Sequence, residues 1–265
     1  MLKKLRTLFA APEPAAPATV VPDGQRVYAV GDIHGRLDLF AALIERIEAD
    51  DTARGAADTT VILLGDLVDR GPDSAGVIDA ARAWAARRRV RTLMGNHEEM
   101  FLAAFDSETT LRHFLRHGGR ETLLSYPIGR EEYDPATLEE LQGLMRRRVP
   151  AAHIAFMAAM EDMIRIGDYV FVHAGIRPGT ALDAQVPADL RWIRGDFIED
   201  KAPREFAVVH GHTITDEPAL LPRRIGIDTG AFASDRLTAI GLEGDQRWLL
   251  VEAIEGDAEN LAPEN

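Results

Sequence analysis

GDIHG (Gly31–Gly35), GDLVDRG (Gly65–Gly71) and GNHE (Gly95–Glu98) are the three stretches on which the fold of this chain turns. Each follows a run of β-type residues: Val27–Val30, Thr60–Leu64 and Val90–Met94. Each therefore puts Asp, Asn or His at the end of a strand, with glycine allowing a sharp turn. Between them lie helical faces, Leu37, Phe40, Ile44 and Ile47 in the first and Val77, Ile78, Ala81 and Trp84 in the second. A βαβαβ run predicts parallel strands with helices packed on them, and bound groups at the strands' carboxyl ends. Asp32 and His34 are two apart, so their side chains project to one side. Asp66 and Asn96 close the next two strands.

Further along, VHAG (Val172–Gly175) and GHT (Gly211–Thr213) add His173 and His212 behind two more strands. Carboxylates, imidazoles and one amide form a mixed oxygen and nitrogen set. Such a set suits Mn, Fe, Zn, Co or Ni better than Ca. Six candidate ligands are too many for one tetrahedral zinc and about right for two ions sharing a carboxylate. His210 reads as a strand residue near the site, not a ligand.

Residues 97–160 read as mostly helical, with one helix over Pro135–Arg148 and a new start at Pro150. From 163 on the pattern turns to strands: Met163–Ile166 and Tyr169–His173 around a Gly167-Asp168 turn, then Phe206–His210, Arg224–Asp228, Leu237–Leu242 and Trp248–Ala253. These predict a second, more antiparallel sheet. The expected organisation is a basic start and Pro/Ala-rich linker over 1–23, a catalytic domain over 24–255, and an acidic disordered tail over 256–265.

The 265 residues are 46% hydrophobic, enough for a sizeable core, and carry 30 basic against 43 acidic side chains, a formal charge of −13. That balance argues against nucleic acid as a partner, since such binding rests on basic patches. The chain has no Cys, which rules out disulfides and thiolate metal sites and is compatible with the cytoplasm. No stretch approaches the ~20 apolar residues of a membrane span. Lys3 and Lys4 precede an apolar part too short for a secretory signal. The expectation for residues 1–9 is a frayed basic start, with weak membrane or partner contact as the other reading.

On these motifs the chain resembles the calcineurin-like metallophosphoesterase superfamily, and within it the bacterial and phage-type phosphoprotein phosphatases. IDTGA (Ile227–Ala231) resembles that family's later strand-end motif. The resemblance implies an α/β fold, a four-layer α/β/β/α sandwich with a small helical cap insertion. It implies two divalent ions, manganese first among them. Asp32, His34 and Asp66 would hold one, Asn96, His173 and His212 the other, and Asp66 would bridge. Many superfamily members carry a second His where this chain has Ile214, so that ligand is missing.

The same resemblance makes His97 the general acid, oriented by Asp69, with Arg70 on the substrate phosphate. Arg194 would be a second phosphate-binding residue, and Arg191 and Arg177 compete for that role. The implied function is a phosphoprotein phosphatase that hydrolyses phosphate monoesters by direct attack of a metal-bridging hydroxide. Its partner would be a phosphorylated protein or peptide, with phosphotyrosine preference open. The alternative is a symmetrical dinucleoside polyphosphate hydrolase of the diadenosine tetraphosphatase kind. Enzymes of that kind commonly lack the equivalent of Asp69 and read GNHD, which turns the expectation toward the phosphatase. A non-catalytic phosphate-binding scaffold is a third reading, disfavoured by the completeness of the set.

Overall fold

The computed structural model describes residues 18–254. The calls on residues 1–9 and 256–265 lie outside them. β1 (Gln25–Val30), β2 (Asp58–Leu63) and β3 (Val90–Thr92) run parallel, linked by α1 (Leu37–Ala53) and α2 (Ser74–Ala85). Alternation sets the layers. Tyr28, Val30, Val61 and Leu63 face the helices and share a core with Phe40, Leu43, Ile47 and Trp84. Val27, Ala29 and Ile62 point the other way.

The second sheet is built from β4 (Met163–Ile166), β5 (Tyr169–Val172), β6 (Ala207–His210), β7 (Ala219–Leu220) and β8 (Arg224–Gly226), in the order β4-β5-β6-β8-β7. Its Ile164, Tyr169, Phe171, Val209 and Ile225 meet Val27, Ala29 and Ile62 across the gap between the sheets. Its other face, through Val170, Val172 and Val208, packs on Leu190, Ile193 and Phe197. The result is helix, sheet, sheet, helix, as the family resemblance implies.

Two expectations need correction. β5, β6 and β8 are parallel, and only the edge strands β4 and β7 are antiparallel. The last two predicted strands leave this sheet. They form β9 (Arg236–Glu243) and β10 (Gln246–Ala253), which extend the first sheet in the order β10-β9-β1-β2-β3. Alternating apolar residues fix which face of a strand is buried, not which strand it pairs with.

The helical insertion comprises α3 (Asn96–Ala104), α4 (Glu108–Phe114), α5 (Arg120–Ser125) and the helices Leu138–Arg148 and Ala151–Ala158. It shares one apolar cluster with α1 and α2 through Met100, Phe101, Phe114, Leu123 and Met145. The helix expected from Pro135 starts at Leu138, because Thr137 caps it and Glu140 returns the capping bond. Residues 18–23, read as the end of a linker, run against the domain. Thr19 and Val21 are buried, and the Val21 N–H donates to the Gly244 carbonyl.

Candidate metal centre and active site

The carboxyl ends of β1, β2 and β3 from one sheet and of β5, β6 and β8 from the other converge, and the five motifs meet there. Asp66 lies between two groups of imidazoles. Its Oδ2 is 3.6 Å from His34 Nε2 and 3.9 Å from His97 Nε2. Its Oδ1 is 3.4 Å from His173 Nε2. His34, Asp66 and His97 form one set with ligand atoms within 4.8 Å of each other, and Asp66, His173 and His212 form another. Asn96 Oδ1 and His212 Nδ1 stand 3.0 and 3.2 Å from His173 Nε2, so these three donors point at one place.

Two ring orientations are fixed from behind. His34 Nδ1 donates to the Val68 carbonyl and His173 Nδ1 to the Leu64 carbonyl, each at 2.8 Å. Each leaves an Nε2 lone pair facing Asp66, the arrangement an imidazole needs to ligate. Burial pushes the His34 imidazole down to about 3 and those of His173 and His212 below their usual range. These rings are therefore neutral at physiological pH.

Asp32 joins from the side of β6. Its Oδ2 accepts the His212 N–H at 2.9 Å, and a Cβ on Gly211 would fall 1.9 Å from its Oδ1, so only glycine admits this approach. Burial, then Asp228 and Asp66, push the Asp32 carboxyl well above its usual range. Asp32 Oδ1 and His212 Nε2 are buried without a hydrogen-bond partner. Orphaned buried polar atoms of this kind call for a bound partner. A cation fits the donors present, all oxygen and nitrogen, and offsets the crowded carboxylates.

His97 sits beside this set. Its Nδ1 is 2.6 Å from Asp69 Oδ2, and Arg70 Nη2 is 3.2 Å from its Nε2. Burial lowers the His97 pKa, but Asp66 and Asp69 outweigh it and hold the ring above its usual value. Arg70 lies over the Phe232 ring at 4.6 Å, and that ring meets His34 edge-on. The HGG turn supports Arg70, whose N–H donates to the Gly118 carbonyl. Gly118 has φ 104°, and a Cβ there would strike the Arg70 backbone at 2.6 Å.

The three arginines that compete on paper differ in their partners. Arg177 is engaged by Asp189 and Asp196, and Arg191 by Asp162 and Glu99. Arg194 donates to the His212 carbonyl at 2.9 Å, which brings its charge to the site. His210 turns its Nδ1 to the Gly211 carbonyl.

The sequence reading missed four supporting residues. Glu98 is buried and accepts the N–H groups of Asp66, Leu67, Val68 and Gly95, which pins the loop after β2. Burial, then Asp66, push its carboxyl up to about 7. Thr122 donates to Asp69 Oδ1 and, with Ser74, receives the Asp69 N–H. Asp228 lies beside Asp32, and burial raises it to about 6. Asp228 was visible in IDTGA, whereas Thr122 stands in no motif. His34, Asp66, Asp69, Arg70 and His212 all adopt positive φ, a backbone state that a surrounding structure must hold in place.

Two sheets joined at such a cluster define a metallophosphoesterase. The chain belongs to the calcineurin-like phosphoesterase family, whose model matches residues 25–241. This family uses a binuclear divalent metal centre. The chain is 26% identical to the asymmetrical bis(5'-nucleosyl)-tetraphosphatase PrpE of Bacillus velezensis, over 79% of this chain and 86% of that one. It is 28% identical to the PrpE of Geobacillus thermodenitrificans, over 80% and 88%. A symmetrical bis(5'-nucleosyl)-tetraphosphatase of Delftia acidovorans is 31% identical over 57% of this chain and 45% of its own length. Among solved structures, a protein provisionally described as a diadenosine tetraphosphatase superposes with TM-score 0.62 at 20% identity, over 91% of this chain and all of that one. A cold-active protein tyrosine phosphatase gives 0.57 at 18%, over 88% and 80%. These two show the fold alone.

The relatives overturn the phosphoprotein phosphatase expectation, its phosphomonoester chemistry and its phosphoprotein partner. Those that span four-fifths of the chain are named for dinucleoside tetraphosphates, small molecules. The physical reason is that metal ligands and an acid act on a phosphoryl group whatever it is attached to. Asp69 and the final Glu of GNHE therefore do not select the leaving group. Among the described residues no helix is long and apolar enough to cross a membrane.

Proposed function

We propose that this chain is a metal-dependent hydrolase of dinucleoside tetraphosphates that cuts the phosphoric anhydride chain asymmetrically. The observation that carries the reading is the run of relatives bearing the asymmetrical tetraphosphatase name over four-fifths of the chain. The convergent ligand set supports it. In this reading Asp32, His34 and Asp66 hold one divalent ion and Asn96, His173 and His212 the other, with Asp66 shared. Manganese is the first candidate. Two such ions supply Lewis-acid charge and a nucleophile from water at neutral pH.

The residues around them do the rest. Arg70 and Arg194 neutralise non-bridging phosphate oxygens, a task suited to a planar fork. An arginine can only donate, so the Arg70 contact leaves the His97 proton on Nδ1, toward Asp69. When a phosphate draws Arg70 off, Nε2 can take up a proton from water, the imidazolium being held by Asp69, and then give that proton to the leaving oxygen. Thr122 and Ser74 hold Asp69, and through it the ring. We take residues 24–255 as the catalytic domain, with 18–23 packed on it, in the cytoplasmic setting expected from the sequence.

Purified protein with Mn²⁺ on diadenosine tetraphosphate tests the proposal. An asymmetrical cut yields ATP and AMP in equal amounts. Two ADP per substrate would convert the reading to the symmetrical one, and no cleavage would overturn it.

A further inference from the structure

Beside the metal centre a cavity of about 480 Å³ opens along α3, lined by Trp192, Glu99, Met100, Thr109, Thr110 and His113, with Ala103 on its floor. It shares a helix face with a candidate ligand. Asn96 begins α3, and Glu99, Met100 and Ala103 follow at spacings of three, four and seven. At ~1.5 Å per residue they lie about 4.5–10.5 Å along the axis from Asn96. That is the reach from a phosphoryl group across a ribose to a base.

The wall is preformed. Trp192 is 39% exposed, yet its indole N–H donates to Glu99 Oε2 at 2.7 Å, which fixes the ring. Its helix (Pro187–Trp192) is tied to the strand end that bears His173, because the Ala174 N–H donates to the Leu190 carbonyl. Two residues on, Arg194 reaches the His212 carbonyl. The cavity thus offers an exposed aromatic face, apolar groups from Met100 and Ala103, the hydroxyl of Thr109, and that of Thr110, which donates to Ser107 and can accept.

Building on the reading above, we propose that this cavity is the nucleoside subsite, in which a purine base of the substrate stacks on Trp192. A rigid ring fixed before binding loses little freedom, and stacking on it discriminates nucleotides from bare phosphates.

The test compares Trp192→Ala, Trp192→Phe and the exposed cavity-filling Ala103→Phe with wild type, each with Mn²⁺, on diadenosine tetraphosphate and on p-nitrophenyl phosphate, which has no purine. Trp192→Ala should raise KM for the dinucleotide about tenfold. That loss should exceed the loss on p-nitrophenyl phosphate by a similar factor. Trp192→Phe should recover most of it, and Ala103→Phe should reproduce it with Trp192 in place. Equal losses on both substrates, or none on the dinucleotide, overturn the subsite.

Fluorescence separates this outcome from failure of the proposed function. The chain has three Trp; Trp84 is fully buried and Trp248 is covered by Arg54. AMP at millimolar concentration should quench wild type and not Trp192→Ala. Quenching without dinucleotide cleavage would keep the subsite and remove the hydrolase reading. No Trp192-dependent quenching would remove the subsite itself.

Discussion

The two ends of the first sheet are built on opposite terms. At the N-terminal end of β1, Arg26 is 1% exposed and fully engaged. It donates to Glu243, to Asp51, and to the carbonyls of Asp51, Arg54 and Gly55. Beside it Asp50 accepts from Tyr28, Arg54 and Trp248. Burial pushes Asp50 and Asp51 up, but these donors outweigh it and hold both below the usual carboxylate range. At the other end of the same strand, Asp32 and Asp228 are held above that range and Asp32 keeps an orphaned oxygen. One end closes upon itself. The other is complete only with cations, and its unmet demand marks it as the working end.

The largest effect should come from breaking the shared ligand. Asp66→Asn removes charge from both imidazole groups, so activity should fall by more than the ~10–100-fold typical of an outer metal partner. Elemental analysis should drop from about two ions per chain toward none, and Mn²⁺ should no longer raise Tm. Retention of one tight ion with full activity would mean that Asp66 does not bridge. His97→Ala should keep its metal and lose kcat. On diadenosine tetraphosphate the loss should lie near the lower end of the 10²–10⁴-fold range of acid catalysis, about 10²-fold. A phosphate oxygen needs little help to leave, which keeps the loss at the lower end. An unchanged kcat on diadenosine tetraphosphate would remove His97 as the acid.

This asymmetry was partly legible in the sequence. The candidate ligands could be picked out, and their convergence anticipated, because turns after strands confine them to a few positions. The return of β9 and β10 to the first sheet could not, because Leu237–Leu242 and Trp248–Ala253 alternate equally well for either sheet. Thr122 was invisible, since its contact with Asp69 crosses 53 positions and obeys no local spacing. Arg194 stood apart from Arg177 and Arg191 only once their carboxylate partners were seen. The substrate was misread because the motifs surround phosphorus, while selection of the leaving group rests on residues outside them.

A smaller effect should follow from opening the closed end. Arg26→Met strands Glu243, takes one of three donors from Asp51, which keeps Thr59 and Arg88, and leaves three carbonyls without their donor. Losing one partner of a buried pair costs several kcal/mol. Glu243 is 37% exposed and recovers water, so the expected cost is about 2–3 kcal/mol. Denaturant unfolding should show it as a lower midpoint, with kcat per folded molecule unchanged. A parallel loss of kcat would show that the two ends are coupled.

The smallest effect concerns pH, where Asp50 and Asp51 at one end and Asp228 at the other act with opposite sign. Asp50 and Asp51 have folded pKa values below their unfolded ones. The stability they contribute is fully present above the unfolded value of about 4 and is lost as pH falls through the lower, folded values. Asp228, raised to about 6, acts in the opposite sense and only between about pH 4 and 6 in the chelated protein. Below pH 4 Asp228 drops out, but Asp66 and the buried imidazoles of the other end still lose stability there, so the closed end is read from the difference between wild type and Asp50→Asn. With chelator present, Tm should fall as pH drops below about 4. In Asp50→Asn that fall should be shallower, even though the variant is less stable at pH 7. An unchanged slope would mean that the Tyr28, Arg54 and Trp248 donors do not favour the Asp50 carboxylate over its acid, and the contrast between the two ends would then rest on Arg26 alone.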